Sequence, residues 1–168
     1  MVALLGFYKI TFLLLVTLLI LAVICLSPRK NSVAVNIFLF LVMSVVETVA
    51  FSILTLNLEW IVQSEKPEHF IASIIIRSFT YPLLLVLFGN FAVQSRSARL
   101  KWWTAAGVLA AFYSIERLAS AWHLRSNVHW HEFYSLVEAG VFMVITYWLG
   151  KWFASIKGRL EVERHDNV

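Results

Sequence analysis

The 14 residues from Phe12 to Cys25 read FLLLVTLLILAVIC, without a charged side chain. A helix that crosses the hydrocarbon core of a bilayer needs about 20 mostly apolar residues. Extending the run in both directions gives such a stretch at about 3–26, in which Lys9 is the only charge. It is too long for the apolar core of a typical cleaved signal peptide. The stretch therefore predicts a retained membrane-spanning helix.

Four further stretches have a similar length and character, at about 33–56, 70–93, 102–123 and 133–153. Of the 168 residues, 60% are hydrophobic and only 14% are charged, with a mean hydropathy of +0.78. Soluble domains are closer to about 45–50% apolar and about 25% charged. We therefore predict an all-α integral membrane bundle of five helices in a single domain. A short basic and polar tail at 154–168 is expected to be cytoplasmic.

The lysines and arginines between the predicted spans predict an orientation. Nine fall on one side of the membrane and two on the other, and basic residues are enriched in cytoplasmic loops. The N-terminus is therefore expected outside and the C-terminus inside. The cations of the tail are expected to contact anionic lipid headgroups rather than nucleic acid. The nine are Arg29, Lys30, Arg96, Arg99, Lys101, Lys151, Lys157, Arg159 and Arg164, and the two are Lys66 and Arg125.

Six ionisable residues fall inside the predicted spans, where each costs a few kcal/mol on insertion scales. With a rise of about 1.5 Å per residue, five of them lie about 9 to 16 Å from the predicted outer ends of their helices. We therefore predict a single buried polar layer in the outer half of the membrane, flanked by hydroxyl side chains. The ionisable residues are Lys9, Glu47, Arg77, Glu116, Arg117 and Glu138, and the hydroxyls include Tyr81, Tyr113 and Ser120.

Two interpretations of this layer remain open. It can form a hydrated cavity, so that the protein is a conduit or binding subunit for a small solute, an ion or protons. Glu116 and Glu138 are then the best carriers. It can also be a set of ion pairs that only fix which helices meet, as in a structural or assembly subunit. Because five short helices enclose a small pore, a second copy or another membrane subunit is an expected partner.

The connection between the fourth and fifth stretches is rich in histidine. Its residue types suit a zinc or copper site, formed by His123, His129, His131 and Glu132. With such a site, the protein would be a metal-dependent membrane enzyme, which is a third hypothesis. Sequence patterns such as HExxH or CxxC are absent, and so are phosphate-binding loops. We therefore expect no enzymatic activity and no cofactor.

Short aromatic motifs occur in the second half of the chain: 79-FTYPL-83, 86-VLFGN-90, 115-IERL-118 and 128-VHWHEFYS-135. In these motifs the chain resembles a family of small polytopic membrane proteins, with about five spans, from endospore-forming bacteria. The sequence departs from the family pattern at His129 and His131, where Asn and Trp are more usual. The resemblance implies a bacterial cytoplasmic membrane and a place in sporulation or germination. It implies no biochemical mechanism.

Overall fold

The computed structural model describes the backbone of residues 2–27, 31–93, 95 and 97–166. The side chains of residues 2–6, 127, 132, 158 and 160–166 are outside this description, as are Arg29, Lys30 and Arg96 entirely. The predicted all-α class is confirmed, because most of the described residues are helical. The helices are α1 (Val2–Leu26), α2 (Val33–Ser52), α3 (Pro67–Ile75), α4 (Tyr81–Ala92), α5 (Ala98–Ala121) and α6 (Glu132–Asp166).

Two π-helical segments extend these helices. Ile53–Asn57 continues α2, and Ile76–Thr80 joins α3 to α4 as one helical rod over residues 67–92. The second π segment precedes Pro82, which has no N–H to donate to the carbonyl of Ser78 one turn earlier. Ser44 of α2 donates its hydroxyl to that carbonyl at 3.2 Å. The carbonyl that Pro82 leaves without a helical partner is thus used in a polar contact between α2 and the helical rod.

Within the described residues, four helices are long and apolar enough to cross a membrane: Phe7–Leu26, Val33–Asn57, Pro67–Ala92 and Phe133–Lys157. They coincide with four of the five predicted spans. α5 has 24 residues and the expected place in the chain, but its polar side chains lower its apolarity below that of a clear span. The fifth membrane crossing therefore stays a prediction. Beyond residue 154, the predicted tail continues α6 to Asp166.

The rod over residues 67–92 lies at the centre of the bundle, and α1, α2, α5 and α6 pack around it. Almost every side chain of α4 is buried, including Leu85 and Asn90. α1 and α2 follow each other in sequence, yet both pack mainly on the central rod rather than on each other. The rod therefore positions the polar residues that the other helices contribute.

Two glycines allow the helices around the central rod to approach closely. A Cβ atom at Gly89 would lie 3.0 Å from Leu39 Cδ1, and one at Gly150 would lie 2.8 Å from Val93 Cγ2. Small residues are common where membrane helices pack tightly, because apolar contact gains nothing over lipid unless packing is close. A Cβ atom added at Gly107 or at Gly140 would instead meet open space.

We expect Gly150→Ile to lower the free energy of unfolding by about 1–3 kcal/mol, because the added side chain must displace Val93. In contrast, Gly107→Ala and Gly140→Ala should each raise it by about 0.5–1 kcal/mol, since alanine favours a helix interior. Denaturant unfolding of the purified variants in detergent measures both effects. Equal stability of Gly150→Ile and Gly140→Ala would contradict the close contact between α4 and α6.

Two loops pair at one end of the bundle. β1 (Ile61–Gln63) and β2 (Arg125–Asn127) form an antiparallel two-stranded sheet, with Gln63 opposite Arg125. We call this sheet the cap, and the end of the bundle that carries it the cap end. α5 ends at Ala121, and His123, between α5 and β2, has a left-handed φ of 53°. Leu124 then donates its N–H to the carbonyl of Ala119. This sharp turn leads β2 back over the bundle.

Candidate functional site

Six residues near the cap end form a mostly buried group, which we call the charge cluster: Glu47, Arg77, Tyr81, Glu116, Arg125 and Glu138. Its first half joins α2 to the π segment of the central rod. Arg77 Nη1 lies 3.1 Å from Glu47 Oε1, and the two side chains are 7% and 1% exposed. The guanidinium also lies over the ring of Phe51, 3.5 Å from its centroid. Arg77 is thus held by a charge and an aromatic face.

The second half of the charge cluster joins α4, α5 and the cap. The Tyr81 hydroxyl donates to Glu116 Oε1 at 2.5 Å, and Arg125 forms an ion pair with Glu116 Oε2. The ring of Tyr81 is stacked on Phe112. Burial lowers the pKa of the Arg125 guanidinium to about 10, so this side chain remains charged at neutral pH. Glu116 therefore has a fixed partner on each oxygen.

Glu138 of α6 lies within electrostatic range of both halves, because it interacts with Arg77 and Arg125 and also with Glu47. The cluster therefore contains three carboxyl groups and two guanidinium groups. Among the described side chains, Glu47 Oε2 is a buried carboxylate oxygen without a hydrogen-bond partner. Within the charge cluster, carboxyl groups therefore outnumber guanidinium groups by one.

A small cavity of about 170 Å³ adjoins the cluster at Arg77. Its wall combines two phenylalanines with the hydroxyls of Thr48, Ser73 and Ser78 and with Gln63 of the cap. Since a water molecule occupies about 30 Å³ of liquid and needs polar partners, this cavity has the size and the chemistry to hold a few waters. It adjoins both the buried guanidinium of Arg77 and Gln63 of the cap.

The structure places Lys9 away from the charge cluster, although the common depth predicted one layer. Lys9 Nζ donates to the carbonyl of Trp122 at 3.0 Å and lies 3.2 Å from His69 Nε2. The other ring nitrogen of His69 lies 3.0 Å from the Ser64 hydroxyl. α1 packs on the α3 side of the central rod, so Lys9 meets a histidine and a helix end instead of an acid.

Three further residues of the predicted layer lie on the outward face of α5. Tyr113, Arg117 and Ser120 are exposed, whereas the neighbouring Ile115 and Ala119 are buried. They follow each other at intervals of four and three residues, which is one helical stripe. Glu116 points to the interior next to that stripe. The rotation of α5 therefore separates Glu116 from two of the expected hydroxyls, Tyr113 and Ser120, whereas the third, Tyr81, does contact it.

The histidine loop does not assemble a metal site in the described part of the chain. No three His, Cys, Asp or Glu side chains there lie close enough to hold a metal ion. His123, His129 and His131 are all exposed, and the side chain of Glu132 lies outside the described residues. The neighbouring Trp130 donates its indole N–H to Ser135 at 2.8 Å, so this region is instead an aromatic and hydrogen-bonded edge of the cap end.

Arg125 belongs to the cluster but was counted from the sequence as a loop cation between the fourth and fifth predicted spans. Its side chain is only 6% exposed. The sequence does not show that Arg125 is buried and Lys66, the other cation on that side, is exposed. Both lie in short polar connections between predicted spans. The pairing of β2 with β1 turns Arg125 inward, and that pairing joins segments about 60 residues apart.

Comparison with known proteins finds no matching family model, no similar curated protein and no similar solved structure.

Proposed function

We propose that this protein is a non-enzymatic membrane subunit that binds and exchanges a proton or a small cation at the charge cluster. The observation that carries the proposal is the composition of the cluster, three carboxyl groups against two guanidinium groups, with Glu47 Oε2 unpartnered. An uncompensated negative charge is costly inside a membrane. A proton or cation that comes and goes supplies the missing charge.

Access to the cluster follows the cavity beside Arg77. Gln63 of the cap and Ser73 of α3 line it, so it leads from the cap end to the guanidinium that holds Glu47. A few waters in this cavity would connect the Arg77 guanidinium, the partner of Glu47, to the surface by hydrogen bonds. Glu116 is already held by Tyr81 and Arg125, which leaves Glu47 and Glu138 as the exchanging pair.

The proposal includes five membrane crossings, with the cap end and the N-terminus outside and the C-terminus inside. Supporting this orientation, Arg125 is turned inward, so that Lys66 is the exposed cation of the two loops that form the cap end. Arg99, Lys101 and Lys151 lie towards the opposite end of their helices, as cytoplasmic cations do. The bacterial cytoplasmic membrane, and a second copy or another membrane subunit as partner, remain parts of this proposal.

Proton movement into liposomes that contain the purified protein and a pH-sensitive dye tests the function. We expect Glu138→Gln to lower the protein-dependent rate at least tenfold, because the amide does not ionise and so cannot take up and release a proton as a carboxyl group does. The matched control is Glu68→Gln, an acid of the first turn of α3 outside the cluster. A rate no higher than that of empty liposomes, or equal rates for both variants, would contradict the proposal.

A second candidate function is that of a structural subunit, in which the cluster only fixes helix packing. The observation that favours it is the arrangement of Glu116, whose two oxygens are both occupied by fixed partners from different elements. In that case Glu138→Gln changes stability but has no effect on ion movement.

A further inference from the structure

The cavity beside Arg77 has a single charged residue in its wall, and that residue is a cation. The other polar side chains of the wall are neutral, and no acid is among the lining residues. The cavity measures about 170 Å³, less than the roughly 300 Å³ at which sites for drug-sized ligands begin. It therefore suits a small ligand with a negative charge. The neutral polar residues are Thr48, Gln63, Ser73 and Ser78, and the apolar ones are Phe51, Phe70 and Ile74.

Arg77 has hydrogen-bond donors that the protein does not use. A guanidinium carries five N–H groups. Within the described part of the chain, Arg77 makes one hydrogen bond, from Nη1 to Glu47 Oε1 at 3.1 Å. Its side chain is only 7% exposed, so bulk water reaches little of it. A buried donor without an acceptor is costly, and a ligand with two oxygens side by side accepts from two N–H groups of a guanidinium at once.

Two serine hydroxyls add to the donors of the guanidinium. Ser73 is 6% exposed, and its hydroxyl makes no hydrogen bond to another described residue. The Ser78 hydroxyl is equally unused among the described residues, although the backbone carbonyl of Ser78 accepts from Ser44. Both hydroxyls can donate to a ligand oxygen. Phe70 and Ile74 supply apolar surface in the same wall, which suits a short hydrocarbon group.

The charge cluster sets a condition on the charge of the ligand. Its carboxyl groups outnumber its guanidinium groups, so an anion that enters alone adds to an excess of negative charge. A proton taken up by Glu47 or Glu138 offsets one negative charge, and the net charge then stays as it was. A single proton thus matches a singly charged anion but not a doubly charged one. The groups involved in this balance are Glu47 of α2, Arg77 and Tyr81 of the central rod, Glu116 of α5, Arg125 of the cap and Glu138 of α6.

We propose that the cavity beside Arg77 binds a short-chain monocarboxylate together with one proton. The carboxylate accepts hydrogen bonds from the Arg77 guanidinium and from the hydroxyls of Ser73 and Ser78. The hydrocarbon part of the ligand lies against Phe70 and Ile74. This inference rests on the proposed function, because the charge cluster takes up the proton. It adds the class of ligand that the proton accompanies, a small organic anion.

Binding of radiolabelled butyrate to the purified protein in detergent tests the site. We expect saturable binding of one butyrate per chain, displaced by unlabelled butyrate but not by butan-1-ol, which has the same carbon chain without the charge. Replacing both Ser73 and Ser78 with alanine removes two donors to a charged ligand and should weaken binding at least tenfold. The matched control is Ser114→Ala, at an exposed hydroxyl of α5 outside the cavity, which should bind as tightly as the parent protein.

A second pair of variants tests the space in the cavity without changing Arg77 or the serines. Thr48 is exposed and lines the cavity, so Thr48→Trp should fill it and weaken butyrate binding at least tenfold. Val49→Trp, at the next position of α2, is the control, because Val49 is 53% exposed and does not line the cavity. Equal affinities within either pair of variants, or displacement by butan-1-ol, would overturn the inference.

Proton uptake separates this inference from the proposed function. In a weakly buffered solution with a pH-sensitive dye, we expect the protein to take up about one proton for each butyrate bound. By reciprocity, butyrate should then bind more tightly as the pH is lowered. Proton movement into liposomes without any butyrate binding would overturn the inference and leave the proposed function standing. Butyrate binding without proton uptake would contradict the coupling to a proton, and with it the exchange proposed for the charge cluster.

Discussion

Replacing Arg77 with leucine is expected to lower the free energy of unfolding by about 3–5 kcal/mol, because Glu47 then stays buried with an uncompensated charge. The two side chains are 7% and 1% exposed, so the carboxylate stays poorly solvated when its partner is removed. The loss of the contact between the guanidinium and Phe51 adds to the effect. Denaturant unfolding in detergent, followed by the helical signal, measures the change.

The double variant Glu47→Leu with Arg77→Leu separates the contribution of the ion pair to stability from its proposed role in proton exchange. Replacing both members of a buried ion pair by apolar residues is often neutral or stabilising. We therefore expect the double variant to recover most of the stability that Arg77→Leu loses, and to conduct no protons. Arg99→Leu, at an exposed position of α5, is the matched control and should change little. A double variant that is as unstable as the single one would show that the pair is not an isolated unit.

Replacing Arg125 with methionine is expected to have the second large effect, a loss of about 3–5 kcal/mol. Glu116 keeps its hydrogen bond from Tyr81 but loses its charge partner in a site where its side chain is 11% exposed. Because Arg125 also belongs to β2, the variant should loosen the cap. We expect faster hydrogen exchange at Ile61 and Gln63, whose strand pairs with β2.

Lys66→Met is the control for this experiment, because Lys66 is the exposed cation on the same side of the bundle. A surface charge contributes little to stability, so its replacement should change the free energy of unfolding by less than about 0.5 kcal/mol. Similar effects of the two variants would contradict the buried position of Arg125. Unchanged exchange rates in β1 would show that the cap does not depend on the ion pair.

Much of the fold follows from composition along the chain. The ends of the predicted spans at 33–56 and 70–93 agree with Val33–Asn57 and Pro67–Ala92 to within three residues, because apolar length alone defines a membrane helix. The sequence also shows that the helix around Pro82 lacks one backbone hydrogen bond, because proline has no N–H. The π segment before it and the bond from Ser44 to Ser78 are visible only in the structure.

The candidate site was only partly predictable. Depth along each helix placed Glu47, Arg77, Glu116 and Glu138 near one level, and these four do lie in one cluster. Depth also placed Lys9 and Arg117 at that level. Depth along a helix, however, does not say towards which neighbour a side chain points. Which way a side chain points depends on how its helix is rotated about its axis, and packing against other helices decides that rotation.

By itself, the sequence of this protein determines that it is helical, that most of its helices suit a membrane, and which residues must avoid lipid. Tertiary structure alone decides that Arg125 turns inward to Glu116, that Lys9 meets His69, and that α1 and α2 separate to leave an open apolar groove between them. The physical reason is the distance along the chain over which each property is decided. Hydrophobicity and helix formation depend on residues that are close in sequence. These three features instead depend on contacts between residues up to about 60 positions apart, or on the space between whole helices.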